Sequence, residues 1–260
     1  SPAMKFVPRS SLVHRYLRVA ALSGFYPGSE TRVLDFGCGA GATVYAFRDV
    51  GIEALGYDLH DYLEPRSEAD RRLFHVGSSA EIPSDHTIDS ETFELPYPDG
   101  HFDLIVSSQV FEHVMDLEPV MRELARVSQP VSLGIHLFPP LAAPLEVHTK
   151  VPLGGFFSKS LLYNQAWARL GVRNGLQKGQ DWREVARLNT RYAETGTCYR
   201  TVQEVLDVSR RHYTFADVAP DLYELHSRRG PIYMKIKALR DLYTTTRNVV
   251  LRVSKENALD

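Results

Sequence analysis

The chain has 260 residues, 43% of them hydrophobic, which is enough to bury a full core in one α/β domain with insertions. Its net charge of -2 argues against a dedicated nucleic-acid binder, and its two cysteines, Cys38 and Cys198, offer neither a disulfide framework nor metal-type spacing. No apolar run is long enough to span a bilayer and the N-terminus lacks a signal peptide's apolar core, so a cytoplasmic protein without a membrane partner is expected.

In chain order, residues 10–23 place Leu12, Val13, Tyr16, Leu17, Ala20 and Ala21 at helical spacing, with Ser10 or Ser11 as the cap. Residues 32–58 form a βαβ unit. Val33, Leu34 and Phe36 give a short apolar strand, Gly37, Gly39 and Gly41 a glycine-rich turn, residues 43–50 an amphipathic helix, and residues 53–58 a second strand ending in Asp58. Glycines let the backbone pass close to a ligand, because a Cβ would block the approach and disfavour the dihedrals of the turn. Asp58 is placed to accept hydrogen bonds from the two hydroxyls of a ribose, so an adenosine-containing cofactor is expected. Gly37, Gly39 and Ala42 also fit the looser dinucleotide fingerprint. Asp35, two residues before the first glycine, favours S-adenosylmethionine, whose ammonium it can receive, whereas the pyrophosphate of a dinucleotide would be repelled.

The polar region 59–90 is harder to parse. A helix over 65–73 and a short third strand over 86–89 are expected, with Asp89 or Glu91 ending that strand beside an adenine. Residues 94–101 are a turn rich in Pro, Asp and Gly, and residues 102–106 an apolar strand that breaks into Ser107, Ser108 and Gln109 at its carboxyl end, where ligands sit in open α/β sheets. A helix over 116–126 and a strand over 131–138 follow.

The segments D-F-G-C-G-A-G, G-Y-D, L-P-Y-P-D-G-H-F-D and S-S-Q-V-F-E-H-V, in that order, resemble the class I S-adenosylmethionine-dependent methyltransferases of the small-molecule type over roughly residues 30–140. The resemblance implies a Rossmann-like, seven-stranded, mostly parallel sheet flanked by helices, to which the helices expected beyond residue 141 would add a cap after the fifth strand. It also implies methyl transfer, with S-adenosyl-L-methionine held by Asp35, Gly37, Gly39, Gly41, Asp58, Leu59, Ser108 and Gln109. The long stretch between Asp58 and Leu95 departs from the pattern and leaves Asp89 and Glu91 as rival adenine contacts.

From residue 141 the pattern thins. Helices over 161–170 and 182–192 carry Tyr163, Trp167, Trp182 and Tyr192, and a further helix spans 201–211. A sixth strand over 213–218, a helix over 232–243 and a closing strand over 248–253 complete one domain. Its parts are an N-terminal helix (4–29), a donor-binding core (30–140), a cap (141–212) and closing strands and helix (213–260). The basic residues between Arg228 and Arg252 read as solvated surface.

Methyl transfer from a sulfonium needs a nucleophile about 3–3.5 Å from the methyl carbon and in line with the sulfur. A hydroxyl acceptor also needs a base, and histidine suits pH 7. Three histidines stand at expected carboxyl ends: His148, preferred, with Glu146 to orient it, then His113, then His136. No metal ligands are assigned. Two or three imidazoles with Glu146 could hold a divalent ion, but the spacing is not diagnostic. The expected acceptor is a small or medium organic molecule, with O-methylation favoured. A nicotinamide-dependent oxidoreductase and a non-catalytic methyltransferase-like subunit are the alternatives.

Overall fold

The computed structural model describes residues 12–63, 66–77, 93–218 and 249–256. In chain order the elements are α1 (Leu12–Leu22), β1 (Arg32–Phe36), α2 (Ala42–Arg48), β2 (Glu53–Asp58), β3 (Phe74–Val76), β4 (Phe102–Ser108), α3 (Leu117–Val127) and β5 (Ser128–Phe138). They continue with α4 (Gly154–Phe157), α5 (Leu161–Arg169), α6 (Trp182–Thr195), α7 (Val202–His212), β6 (Phe215–Val218) and β7 (Val249–Ser254).

The seven strands form one sheet in the order β3-β2-β1-β4-β5-β7-β6. All neighbours pair in parallel except β7, which runs antiparallel to both β5 and β6. Strand order reverses between β1 and β4, and the carboxyl ends of these two strands open the crevice where such sheets bind ligands.

Alternation along the strands builds two cores. Val33, Leu104, Leu133 and Leu137 face one side, where they pack with Tyr16 and Leu17 of α1 and Val44 and Phe47 of α2. Leu34, Phe36 and Ile105 face the other, against Val120, Met121 and Leu124 of α3 and Val205 of α7. Helix α3 starts where the Asp116 carboxylate accepts from the Glu118 amide at 3.0 Å. Helix α7 starts on a capping box between Thr201 and Glu204. After β5 the chain leaves the sheet for α4, α5 and α6. Here Ala168, Val185 and Ala186 make a small separate core, and the Asn164 side-chain amide donates to the Thr190 hydroxyl at 2.8 Å.

The fourth and fifth strands are longer than expected, and the sixth begins at Phe215 instead of Tyr213. Within the helix expected over 65–73, Glu68–Leu73 form a 3-10 helix, and the strand that follows directly, β3, pairs with β2 as the third of the sheet. The expected strand over 86–89, the helix over 232–243 and the caps Ser10 and Ser11 lie outside the described residues. So does most of the basic stretch from 228 to 252. Its described member Arg252 is not plain solvated surface: it pairs with Asp217 at 2.7 Å and donates to the Ser23 hydroxyl at 2.9 Å, which ties β7 to β6 and to the end of α1.

Candidate functional site

The glycine turn leaves β1 with Gly37 at φ 75°, and a Cβ there would come 2.3 Å from Cγ2 of Val110. Only glycine lets this turn lie against the segment after β4. Gly39, at φ 51°, is held differently. Its amide donates to Oδ2 of Asp58 at 2.8 Å, while Oδ1 of the same carboxylate accepts from the His60 amide at 3.2 Å. One acid therefore ties the turn after β1 to the tip of β2.

A cavity of about 400 Å³ opens at this place. Phe36, Gly37 and Gly39 line it from β1, Asp58, Leu59 and His60 from β2, and Gln109, Val110 and His113 from the segment after β4. His148 and Tyr192 close it from the cap side and also line a second cavity of about 630 Å³, together with Lys150, Asn174 and Gln177. The two cavities thus share a wall made of His148 and Tyr192.

Seven of the residues singled out in the sequence meet here: Gly37, Gly39, Asp58, Leu59, Gln109, His113 and His148. Gln109 adopts the left-handed backbone (φ 59°) and donates its amide to the Leu137 carbonyl at 2.9 Å. A non-glycine residue in that region costs about 1–3 kcal/mol, which the flanking strands sustain. A cradle whose Gly39 would bring a Cβ within 4 Å of no protein atom, beside a carboxylate at the strand tip, fits the adenosyl and ribose portions of S-adenosylmethionine.

Three other expected donor contacts, Asp35, Gly41 and Ser108, do not line this cavity. Asp35, on β1 just before the turn, is 4% exposed. Burial pushes its pKa up to about 7, the Asp58 charge adds to the rise, and the Thr43 hydroxyl holds it lower. Gly41 serves as the N-cap residue of α2.

His136 leaves the list of bases. It is fully buried on β5, its Nδ1 bonds the Ser107 hydroxyl at 2.9 Å, and its ring stacks 4.8 Å from that of Phe111. Burial lowers its pKa to about 3, so it is a neutral core histidine out of reach of any acceptor. Glu146 does not orient the His148 ring either. Its Oε2 accepts from the His148 amide at 3.0 Å and the Thr149 hydroxyl at 2.6 Å, and its Oε1 accepts from the Tyr199 hydroxyl. The carboxylate near the His148 ring is Glu112, whose Oε1 lies 3.8 Å from Nε2 of His148. Asp89 and Glu91 lie outside the described residues.

Sequence reasoning did not assign His60, Val110 or Tyr192 to the site, and it gave Glu112, the acid of the Glu-His pair at the edge of the cofactor site, no role of its own. Glu112 and Val110 flank Phe111 in the V-F-E-H segment and His60 follows Asp58 and Leu59, so their neighbours in sequence were the available signal. Tyr192 reaches the site only through the packing of α6. Its hydroxyl pKa is raised by burial first, then by the charges of Glu146 and Glu112.

The turn that carries Glu112 and His113 is clamped by the segment after α6. The Cys198 amide donates to the Glu112 carbonyl at 2.7 Å, Arg200 donates to the carbonyls of Phe111 (3.1 Å) and Met115 (2.6 Å), and Nδ1 of His113 donates to the Gly196 carbonyl at 2.7 Å.

Residues 34–134 match the methyltransferase domain family. An uncharacterized methyltransferase of Mycobacterium sp. (strain KMS) is 36% identical over 109 residues, covering 42% of this chain and 38% of that protein. Norajmaline N-methyltransferase of Rauvolfia serpentina is 32% identical over 121 residues, covering 46% of this chain and 39% of that protein. The chain thus spans under two fifths of the length of these curated relatives. In fold it resembles an S-adenosylmethionine dependent methyltransferase from Mesorhizobium loti, with a TM-score of 0.53 at 14% identity over 94% of this chain and 98% of that one. The matched segment contains the glycine turn, Asp58, Gln109 and His113, and in it the chain is similar to the methyltransferase domain family.

Proposed function

We propose that the protein moves a methyl group from S-adenosylmethionine to a hydroxyl oxygen of a small or medium organic acceptor. The observation that carries this reading is a single cavity with the glycine turn and Asp58 on one wall and His113 and His148 on the other. The cofactor supplies an activated methyl on a sulfonium, so the protein's part is to bind, orient and accept a proton. Asp58 accepts from the ribose hydroxyls with the lone pairs that Gly39 and His60 leave free. The acceptor enters from the larger cavity, past His148 and Tyr192, and its hydroxyl is activated at the His113–His148 pair. Transfer of the hydroxyl proton to His148 is the simplest form of that activation.

Calorimetric titration with S-adenosylhomocysteine and with NAD tests the donor. Binding of S-adenosylhomocysteine is expected, with affinity lowered about 10- to 100-fold in Asp58→Ala, because a charge-assisted hydrogen bond contributes about 1.5–3 kcal/mol. Binding of NAD alone overturns the reading.

A further inference from the structure

Behind the shared wall, the Glu112 side chain is fully buried, and neither of its carboxylate oxygens accepts a hydrogen bond from any described residue. Nε2 of His148 is likewise buried and without a hydrogen-bond partner among the described residues, 3.8 Å from Oε1 of Glu112 and too far to bond it. A buried carboxylate with no donor is costly unless a cation joins it. The third member is His113. Its Nδ1 must carry the proton, since it donates to the Gly196 carbonyl at 2.7 Å, and that fixes the lone pair on Nε2. A backbone carbonyl on the far nitrogen is how metal-binding imidazoles are oriented.

The geometry points to a divalent transition-metal site built from Glu112, His113 and His148 at the wall of the donor cavity. One ligand atom from each lies within 4.8 Å of the other two. Ligands about 2.1 Å from a tetrahedral ion stand about 3.4 Å apart, so an ion needs a closure of under about 1.5 Å, within the reach of side-chain rotation. Two imidazoles and one carboxylate select zinc, cobalt, iron or manganese over magnesium or calcium, which prefer all-oxygen cages. Glu146, the carboxylate nearest His148 in sequence, is excluded as a ligand, because its oxygens already accept from the His148 amide, Thr149 and Tyr199.

Three protein ligands leave positions open toward the cavity. There the inference deepens the methyl-transfer reading and rests on it. An acceptor hydroxyl takes an open position and loses its proton to water. Its oxygen bonds the methyl carbon as the carbon–sulfur bond breaks, and the electron pair of that bond stays on sulfur. His148 then serves as a ligand in place of a base.

The test is calorimetric titration of the chelator-treated protein with Zn²⁺, Co²⁺, Mn²⁺ and Mg²⁺, together with the visible spectrum of the Co²⁺ form. Expected is one equivalent of transition ion, tighter than Mg²⁺, with affinity lowered about 100-fold or more in both Glu112→Gln and His148→Ala, and with changed cobalt bands. Parallel titration of Glu112→Gln with S-adenosylhomocysteine reports whether the variant is folded, since Glu112 is not in the cavity lining. Wild-type protein that binds no transition ion, or binds it undiminished in both variants, overturns the site. Binding of the ion without S-adenosylhomocysteine would uphold the site and sink the donor reading, and the reverse result would do the opposite.

Discussion

Replacing Asp35 by Asn isolates the most unusual charge in the sheet. In the native protein this carboxyl is 4% exposed, and burial together with the Asp58 charge brings its pKa to about 7, against a model-peptide value of 3.8. A folded-state pKa above the unfolded one means that the native state holds the proton over a window in which the unfolded chain has released it. The contribution of this carboxyl to stability is therefore greatest below about pH 4, falls as pH rises from about 4 to 7, and levels off above that. About three pH units at 1.36 kcal/mol each give a ceiling of about 4 kcal/mol for the loss. Asn keeps the shape and cannot ionise, so this decline should vanish in Asp35→Asn. Urea denaturation of both proteins at pH 4.5 and pH 8, without ligand, measures the difference. The stabilisation of the variant relative to wild type should grow by up to about 3 kcal/mol between these two pH values, because the decline that begins near pH 4 is already under way at 4.5. Parallel stability curves over that range would refute the assignment of a protonated acid beneath the glycine turn.

Gly37→Ala forces a Cβ to 2.3 Å from Val110 at a φ of 75°, and should cost about 1–3 kcal/mol in chemical denaturation while lowering affinity for S-adenosylhomocysteine. Glu146→Gln keeps the shape of a buried side chain but removes its charge. Burial acts to raise the Glu146 pKa, yet the hydrogen bonds from Thr149, Tyr199 and the backbone amides outweigh it and hold the pKa below the ordinary value. A depressed pKa gives stability that is present above the unfolded value and lost as pH falls. The variant should be about 2–4 kcal/mol less stable than wild type at pH 7, and the gap should narrow in acid, as read by thermal melts at both pH values. An equal gap at both would show that the charge contributes nothing.

The βαβ unit and β4 were legible because each couples a local apolar run to turn chemistry that has one reading. Gly37 needs its positive φ, and Asp99-Gly100 reverses the chain before Phe102. Strand β3 was not legible: three residues, with no turn signal between it and the 3-10 helix, are defined only by pairing with β2. His113 and His148 were found from their positions after strands. The same rule failed for His136, since β5 is covered on both faces at that point and its carboxyl end is dry. Glu146 misled for a related reason. Its carboxylate is captured by amides two and three residues along the chain, a local bond that sequence proximity to the His148 ring does not reveal. The turn that carries Glu112 is set by contacts more than 80 residues distant, from Cys198 to Glu112, Gly196 to His113 and Arg200 to Phe111 and Met115, which no local pattern encodes.

The two walls of the cavity also differ in where they lie along the chain. Gly37, Gly39, Asp58, Gln109 and His113 fall inside the segment shared with the methyltransferase domain family, whereas His148 and Tyr192 lie beyond residue 134. On the proposed reading the donor side is common to the family and the acceptor side is this chain's own. An acceptor therefore does not carry over from a relative such as norajmaline N-methyltransferase, whose similarity covers 46% of the chain. On the same reading the acceptor falls to the larger cavity, where Leu176 and Leu188 supply apolar wall while the amides of Asn174 and Gln177 are already bonded, to the His148 carbonyl at 3.2 Å and to Asn189 at 2.6 Å, and so serve to shape the cavity.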